Sequence, residues 1–160
     1  MSSSTVVTAT RALNTNKVRL GTAVRAVAVA TATTAAIAAC AAPSSTATGS
    51  RVVQAASAQV GKPYVYGATG PGAFDCSGLT SSAYRAAGKF LPRTALEQYN
   101  VTQHIPASQA RPGDLVFMGT PGSHVGIWVS PGQMIDAGNP RVGVSRRAMW
   151  SSQYAIGRVR

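Results

Sequence analysis

Two residues of this chain have the types and the spacing for nucleophilic chemistry. Cys76 lies in the run Phe74-Asp75-Cys76-Ser77-Gly78-Leu79, and His124 lies far downstream in Ser123-His124-Val125-Gly126-Ile127-Trp128-Val129. A cysteine attacks as its thiolate, which the positive end of a helix favours by lowering the thiol pKa from about 8.5 to roughly 3.5–7.5. A histidine beside that thiolate can hold the proton and deliver it to a leaving amine. The pair indicates acyl transfer at a cysteine.

A helix must position the cysteine. Asp75 is a good N-cap, Gly88 is a stop signal, and the apolar positions between them recur at helical spacing, at Leu79, Ala83 and Ala86. Cys76 is therefore predicted in the first turn. From position alone a buried structural cysteine is an equal alternative, since free cysteine is among the most buried residue types.

A strand must position the histidine. Val125, Ile127 and Val129 alternate as the buried face of a predicted strand, and His124 lies on the other face. A single strand histidine is more often structural than catalytic. A cysteine on a helix followed by a histidine on a strand is nevertheless the layout of papain-like hydrolases.

Further sequence blocks carry a family resemblance. From Gly61 onward the chain resembles the NlpC-type cysteine peptidases of bacterial cell walls, in blocks whose order and spacing fit throughout. These blocks are GKPYVYG at 61–67, FDCSGLT at 74–80, LPR at 91–93, RPGDLVF at 111–117, HVGIWV at 124–129 and MIDA at 134–137. The combination covers nearly all of the region expected to fold.

The resemblance implies roles for individual residues. Cys76 would be the nucleophile, His124 the general base and acid, and the Tyr64 hydroxyl part of the oxyanion site. Asp75 and Ser77 would border the substrate groove. Tyr64 could instead pack the entry to the helix, and Asp75 and Ser77 could serve chiefly as helix caps.

The third catalytic position departs from the family pattern. Relatives most often have a histidine there, and this chain has Asp136. An aspartate suffices chemically, because the residue must accept a hydrogen bond from the far imidazole nitrogen and fix its tautomer. Asn139 is the rival candidate.

Hairpin geometry favours Asp136. The turn Ser130-Pro131-Gly132-Gln133 has Pro and then Gly at its centre, which is typical of a type II turn and disfavours a strict two-residue loop. With a strict loop, Asn139 would face His124. A one-residue register shift instead puts Asp136 across from Gly126 and diagonal to His124, with no side chain between them.

Cofactor sites are not indicated. With two histidines, two cysteines and four acidic residues, the sequence shows no zinc or calcium spacing, and the glycines before Cys76 lack a P-loop lysine. His104, in the segment Gln103-His104-Ile105-Pro106, is expected to be a solvated loop residue. We expect no metal and no cofactor.

The first 42 residues have the profile of a secretory signal peptide. Four basic residues precede an uncharged stretch from Ala26 to Ala39, which is shorter than the roughly 20 residues that span a bilayer. Ile37-Ala38-Ala39-Cys40 resembles a lipobox, which would make Cys40 the lipid-bearing first residue, and the alternative is ordinary cleavage near Ala42. Either prediction exports the protein, to the cell wall or medium or to the envelope surface.

Charge indicates an anionic environment. Four of the 15 basic residues precede Ala26, so the other eleven, set against four acidic residues, leave a net charge of +7. In an exported bacterial protein this favours retention on an anionic wall. Nucleic acid is the competing partner, but the basic residues are scattered, with Arg146-Arg147 the only adjacent pair, and no nucleic-acid motif is present.

The remaining organisation is simple. Residues 43–50 are expected to form a flexible linker, and residues 51–160 are expected to form a single, monomeric catalytic domain. Its first helix is predicted to have Ser50 as its N-cap and to place four apolar residues on one face, namely Val52, Val53, Ala56 and Val60. Strands are predicted at 115–118, 124–129, 134–137, 142–145 and 154–159. Helices followed by an antiparallel sheet make the predicted class α+β, with a papain-like layout.

The predicted function is a cysteine endopeptidase of peptidoglycan. By resemblance it would cleave an amide bond of the stem peptide, the bond from D-glutamate to the diamino acid, through a thioester. Two alternatives are a related cysteine amidase or acyltransferase with another substrate, and a wall-binding module without catalysis.

Overall fold

The computed structural model describes residues 44–160, which form three α-helices and one six-stranded antiparallel sheet. The predicted signal peptide, with Cys40, lies outside the described residues. The helices are α1 (Ser45–Ser57), α2 (Cys76–Ala86) and α3 (Ala95–Val101). Helices first and an antiparallel sheet second confirm the predicted α+β class.

The sheet has the strand order β1-β6-β2-β3-β4-β5. Its strands are β1 (Gln103–Ile105), β2 (Leu115–Met118), β3 (His124–Ser130), β4 (Gln133–Ala137), β5 (Val144–Ala148) and β6 (Tyr154–Arg158), with a short 3-10 helix at Ala107–Gln109 between β1 and β2. Four predicted strands match closely. The strand predicted at 142–145 begins instead at Val144, because Gly143 still belongs to the preceding turn, with φ +63°.

Helix α1 begins earlier than predicted. Ser44, not Ser50, is the N-cap, and it accepts a hydrogen bond from the N–H of Ala47 at 3.4 Å. The flexible linker predicted over residues 43–50 is therefore wrong from Ser45 onward. Close packing explains the difference, because a Cβ at Gly49 would overlap the carbonyl oxygen of Pro112.

The buried face of α1 was predicted only in part. Val52 and Ala56 are fully buried in the core, as expected for one face of a helix. Val60 lies beyond the end of the helix at Ser57 and is 47% exposed, so its assignment to that face was wrong.

Helix α2 has the predicted limits. Asp75 is its N-cap, and Gly88 follows its end with φ +77°, a left-handed conformation that glycine adopts without strain. Leu79 and Ala83 are buried as predicted. Ala86 is exposed, because the buried stripe continues through Tyr84 and Ala87 instead.

Helix α3 was not predicted, although its N-terminus carries a capping box. The Thr94 side chain accepts the N–H of Glu97, and the Glu97 side chain accepts the N–H of Thr94. The helix is tied to α2 by Gln98, which is fully buried and donates to the Ser81 hydroxyl at 3.0 Å and to the Ser77 carbonyl at 3.1 Å. These polar bonds fix the region around the first turn of α2.

Two hydrophobic clusters occupy the two faces of the sheet. The larger cluster joins the helices to alternate strand residues, such as Phe117, Val125 and Ile135. The smaller one contains the residues between them in sequence, namely Val116, Met118, Trp128, Met134 and Ile156. Strand β3 is thus buried on both faces.

Within residues 44–160, no helix has the length and apolar character needed to cross a membrane.

Candidate active site

Cys76 is the first residue of α2. The carboxylate of Asp75 caps the helix by accepting the N–H of Gly78 at 2.7 Å, and its second oxygen accepts the N–H of Gly67 at 2.9 Å. These bonds fix the loop before the helix against its first turn. Cys76 itself is a free thiol, half-buried at the positive end of the helix.

Arg93 completes the cap, and sequence reasoning missed it. Its guanidinium donates to Asp75 Oδ2 at 2.5 Å and to the Ser77 hydroxyl at 2.9 Å, and its side chain is 40% exposed. Burial raises the pKa of Asp75, but the bonds from Arg93, Gly78 and Gly67 lower it more, so the carboxylate stays ionised. Asp75 and Ser77 are both buried in this network. They therefore have the capping role predicted from the sequence as the alternative to bordering the groove. The only sequence signal for Arg93 was the block LPR at 91–93.

The register of the β3–β4 hairpin brings Asp136 to His124. Ser130 pairs with Gln133, so Pro131 and Gly132 form the two-residue loop that the turn sequence was expected to disfavour. Trp128 nevertheless pairs with Met134, because a bulge at Val129 shifts the ladder by one residue and gives the predicted register beyond it. Asp136 then lies across from Gly126, which has no side chain, and reaches diagonally to His124. The distance from His124 Nε2 to Asp136 Oδ2 is 2.7 Å.

The rival candidates lie elsewhere. The Asn139 side chain accepts the N–H groups of Arg141 at 2.9 Å and Val142 at 3.2 Å, and so closes a local turn. His104 is exposed on the edge strand β1, not in a loop as predicted, and its Nε2 contacts the carbonyl of Tyr99 at 2.9 Å. Strands β6 and β2 separate β1 from the strand of His124.

Arg147 on β5 is a second residue that sequence reasoning missed. It holds the buried carboxylate of Asp136 with both arms of its guanidinium, Nε to Oδ1 at 2.9 Å and Nη2 to Oδ2 at 2.6 Å. The sequence showed the pair Arg146-Arg147, but not which member points to the site. Asp136 is fully buried, and although burial raises its pKa, the bonds from Arg147 and His124 keep that pKa below its ordinary value.

Cys76 and His124 shift each other toward an ion pair. Burial raises the pKa of the Cys76 thiol, but the interaction with the His124 side chain and the N–H of Val125 lower it below the ordinary range. Burial lowers the pKa of His124, but Asp136 and Cys76 together raise it to about 9. Because Nε2 contacts Asp136, Nδ1 is the nitrogen left to serve Cys76. Both pKa shifts favour the thiolate–imidazolium form of the pair.

Tyr64 lies close enough to Cys76 to sense its charge. Burial, followed by the negative charges of Cys76 and Asp75, raises the pKa of the phenol above its ordinary value. The hydroxyl therefore remains protonated and available as a donor at neutral pH.

Within residues 44–160, no group of three or more His, Cys, Asp or Glu side chains is arranged to hold a metal ion.

A cavity of about 800 Å³ lies at the opposite end of α2 from Cys76, beside Tyr84 and Ala87. At a rise of about 1.5 Å per residue, this end is roughly 15 Å along the helix from the thiol. Its charged lining is five basic side chains and one acidic one, namely Arg51, Lys89, Arg111, Arg158, Arg160 and Asp114. The basic residues that look scattered in sequence are therefore partly gathered at this cavity.

Known proteins are similar to this chain in sequence and in fold. The model of the NlpC/P60 family matches residues 61–159. A probable endopeptidase p60 of Listeria grayi is 42% identical over 117 residues, which cover 71% of this chain and 23% of the relative. The chain spans about half the length or less of the curated relatives it matches.

Two solved structures from Mycobacterium tuberculosis are similar at 30% identity. The peptidoglycan hydrolase RipB has a TM-score of 0.66, with 73% of this chain and 68% of that chain covered. RipD, described as a non-catalytic NlpC/p60 domain protein adapted to peptidoglycan binding, has a TM-score of 0.62, with 70% and 97% covered. With the family match across most of its described residues and this likeness in fold, the chain belongs to the NlpC/P60 family.

Proposed function

We propose that the protein is a peptidoglycan hydrolase that cleaves an amide bond of the stem peptide, with Cys76 as its nucleophile. One observation carries the proposal: His124, 2.7 Å from the buried Asp136, interacts with a cysteine at the N-terminus of α2. The names of the relatives support it, since they include probable endopeptidases and a peptidoglycan hydrolase.

The first half-reaction forms a thioester. The Cys76 thiolate attacks the carbonyl carbon, and the oxyanion accepts hydrogen bonds from the Tyr64 hydroxyl and from backbone N–H groups of the first turn, which have no partner within the helix. The carbon–nitrogen bond then breaks, and the proton on His124 Nδ1 passes to the leaving amine. His124 is left neutral, with its remaining proton on Nε2 facing Asp136.

The second half-reaction restores the enzyme. Water attacks the thioester carbonyl while His124 Nδ1 accepts one of its protons, and the carbon–sulfur bond breaks to release the Cys76 thiolate and a carboxylic acid, which loses its proton to solvent. Asp136 accepts the Nε2 hydrogen bond throughout and holds the ring in the tautomer that presents Nδ1. Asp75 and Ser77 are proposed to border the groove indirectly, through the exposed guanidinium of Arg93 that they hold.

The proposed bond joins D-glutamate to the diamino acid that follows it, as the family resemblance implies. A cysteine amidase or acyltransferase would use the same first half-reaction on another amide, or pass the acyl group to an amine in place of water. The similarity to RipD makes wall binding without catalysis the other alternative. Intact Cys76 and His124, with a nearby acceptor for the imidazole, favour catalysis.

Digestion of purified peptidoglycan followed by mass analysis tests the proposal. The wild-type protein should release peptide fragments that begin with the diamino acid, and Cys76→Ala should release none while melting at the same temperature. Cleavage by Cys76→Ala within tenfold of wild type would refute the thiol mechanism. Wild-type binding without any cleavage would establish the wall-binding alternative.

Export is part of the proposal, supported by the composition of residues 1–42. The mature chain is proposed to begin either at a lipid-modified Cys40 or near Pro43 without lipid, at the envelope or in the cell wall. The intact mass of the protein from its native host separates these two outcomes. A chain that retains Met1 in the envelope would contradict both.

Retention on the anionic wall is also proposed, supported by the net charge of +7 after residue 25 and by the basic cavity at the far end of α2. The protein is proposed to act as a monomer on stem peptides and to need no nucleic acid or cofactor.

A further inference from the structure

Asp136 is a carboxylate without access to water. Its side chain is fully buried, and it accepts one bond from His124 and two from Arg147. During the proposed reaction His124 alternates between imidazolium and neutral imidazole. An isolated buried carboxylate would be costly in the second state and would compete for the proton. Arg147 is charged at every working pH, so Asp136 keeps a cationic partner in both states.

The sheet leaves space for this guanidinium. Asp136 pairs with Ser145, so Arg147 lies two residues further on the same face of β5 and reaches Asp136 diagonally. Gly138 borders the same space, because a Cβ there would overlap the Arg147 guanidinium and lie 3.6 Å from Asp136 Oδ2. The site is therefore shaped around an arginine, and not merely near one.

Trp150 connects the two partners of Asp136. Its ring centroid is 4.3 Å from Arg147 Cζ, a cation–π contact, and 4.9 Å from the centroid of the His124 ring. Trp150 is 51% exposed, so it lies between the row His124–Asp136–Arg147 and solvent. The indole thus packs against both the guanidinium of Arg147 and the imidazole of His124.

We propose that Arg147 is a positioning residue for His124, acting through Asp136: it fixes the carboxylate toward Nε2 and shares its negative charge, while Trp150 holds the guanidinium in place. The inference rests on the proposed function for its effect on turnover. Its effects on the ionisation of His124 and Cys76 can be measured without any substrate.

The charged groups around His124 determine the direction of the effect. Cys76 faces His124 from α2, and Asp136 faces it from β4. Arg147 on β5 acts on His124 through Asp136. Cys76 is itself near three further groups, namely Asp75, Arg93 and Tyr64. Removing the positive charge of Arg147 leaves Asp136 more strongly negative toward the imidazole. The pKa of His124 should then rise above its value of about 9, and the imidazolium should become a weaker acid toward the leaving amine.

The variants are Arg147→Met, which removes the charge and the two-armed contact, and Arg147→Lys, which keeps only the charge. Arg146→Met is the matched control, because Arg146 is the exposed neighbour on the same strand and its loss changes net charge equally. The readouts are turnover and KM on peptidoglycan, the pH dependence of Cys76 alkylation by iodoacetamide, and the pH dependence of Trp150 fluorescence, which a neighbouring imidazolium quenches.

Arg147→Met should lower turnover about 10-fold to 100-fold with KM within twofold, by analogy with the loss of an outer partner that orients a metal-binding histidine. It should move the His124 titration upward by about one pH unit. Arg147→Lys should restore the titration but not the full turnover, and Arg146→Met should match wild type. An unchanged titration in Arg147→Met, with turnover no lower than in Arg146→Met, overturns the inference.

Gly138→Ala covers the case in which Arg147→Met does not fold. The added methyl displaces the guanidinium while retaining its charge, so turnover should fall with KM unchanged. A drop in melting temperature alone, with turnover and titration as in wild type, would show a purely structural role. If the wild-type protein cleaves no peptidoglycan but the titrations respond to Arg147 as expected, the proposed function fails and the positioning role stands.

Discussion

Two buried carboxylates in this protein are held by the same arginine geometry but lie at opposite ends of α2. Arg147 donates to Asp136 through Nε at 2.9 Å and Nη2 at 2.6 Å. Arg158 donates to Asp114 through Nε at 2.9 Å and Nη2 at 2.7 Å. The third donor differs: Asp136 faces the imidazole of His124, whereas Asp114 accepts the backbone N–H of Arg111, each at 2.7 Å.

The third donor decides what each pair can do. A backbone N–H neither titrates nor rotates, so the Asp114–Arg158 pair joins β6 to the turn before β2 and lines the basic cavity. An imidazole loses and regains a proton, so the Asp136–Arg147 pair can act on an ionisation. An arginine–carboxylate pair is therefore not a functional signal in this chain until the remaining contact of the carboxylate is known.

The largest expected effect separates the two carboxylates. Asp136→Ala should lower turnover by roughly 10-fold to 10³-fold, less than the about 10⁴ for the analogous serine triad, because a thiol of lowered pKa depends less on its base than a serine hydroxyl does. Asp114→Ala should leave turnover within about twofold and instead lower the free energy of unfolding by about 1–3 kcal/mol, since buried donors lose their acceptor. Peptidoglycan digestion and urea melts of both variants provide the test.

Asp136→Asn sharpens the same contrast. The amide can still accept the Nε2 hydrogen bond but carries no charge, so its turnover should fall between those of wild type and Asp136→Ala. Equal losses of turnover in Asp114→Ala and Asp136→Ala would mean that the two pairs are both structural.

The next effect is on the pH dependence of turnover, which should respond to changes at Asp136, the carboxylate beside His124, and not to changes at Asp114. The pKa of Cys76 is lowered and that of His124 is raised to about 9, so turnover should be flat near neutral pH and fall about tenfold per unit above pH 9. The pH dependence of alkylation by iodoacetamide should show that Cys76 ionises below its ordinary pKa. Asp136→Asn should bring the alkaline fall to lower pH, whereas Asp114→Asn should not move it.

The stability of the fold should also depend on pH through the shifted pKa values of His124 and Asp136. His124 has a folded pKa above its unfolded value of 6.5, so its contribution is complete below pH 6.5 and is lost as pH rises through about 9. Asp136 has a folded pKa below 3.8, so its contribution is present above that pH and is lost as pH falls through the lowered value. Thermal melts of wild type and Asp136→Asn across this range measure both changes.

A smaller effect is expected at the other end of α2. Wall binding should weaken several-fold as salt rises and the Debye length contracts from roughly 30 Å to 8 Å. Arg51→Glu and Arg111→Glu, at the cavity, should weaken it more than Arg85→Glu, an exposed arginine of α2 outside the cavity, although each changes net charge equally. Equal losses in all three variants would show that net charge, and not the cavity, governs retention.

The smallest effects are expected at the two discarded candidates. Asn139→Ala and His104→Ala should keep turnover within a few-fold of wild type, because neither side chain contacts His124 or Cys76 in the described structure. A crippling effect of Asn139→Ala would require the strict two-residue register of the β3–β4 hairpin.

Short-range patterns in the sequence predicted much of the candidate site. The cap at Asp75 and the stop at Gly88 set the limits of α2, and so placed Cys76 at a helix N-terminus from the sequence alone. The register that aligns Asp136 with His124 was also predicted, but the shift arises from a bulge at Val129 and not from the Pro131-Gly132 turn. The helix limits were predictable because the capping interactions lie within a few residues of one another along the chain.

Only the tertiary structure decided what closes the site and what anchors the first helix. Arg147 reaches Asp136 from the neighbouring strand β5, and Arg93 reaches Asp75 from beyond the end of α2. No local pattern distinguishes either arginine from the exposed Arg146. Helix α1 begins at Ser45 because Gly49 packs on the loop at Pro112, far away in sequence. The sequence determined which groups could react, through caps and turns, but contacts between distant segments determined which charges surround them and hence their ionisation.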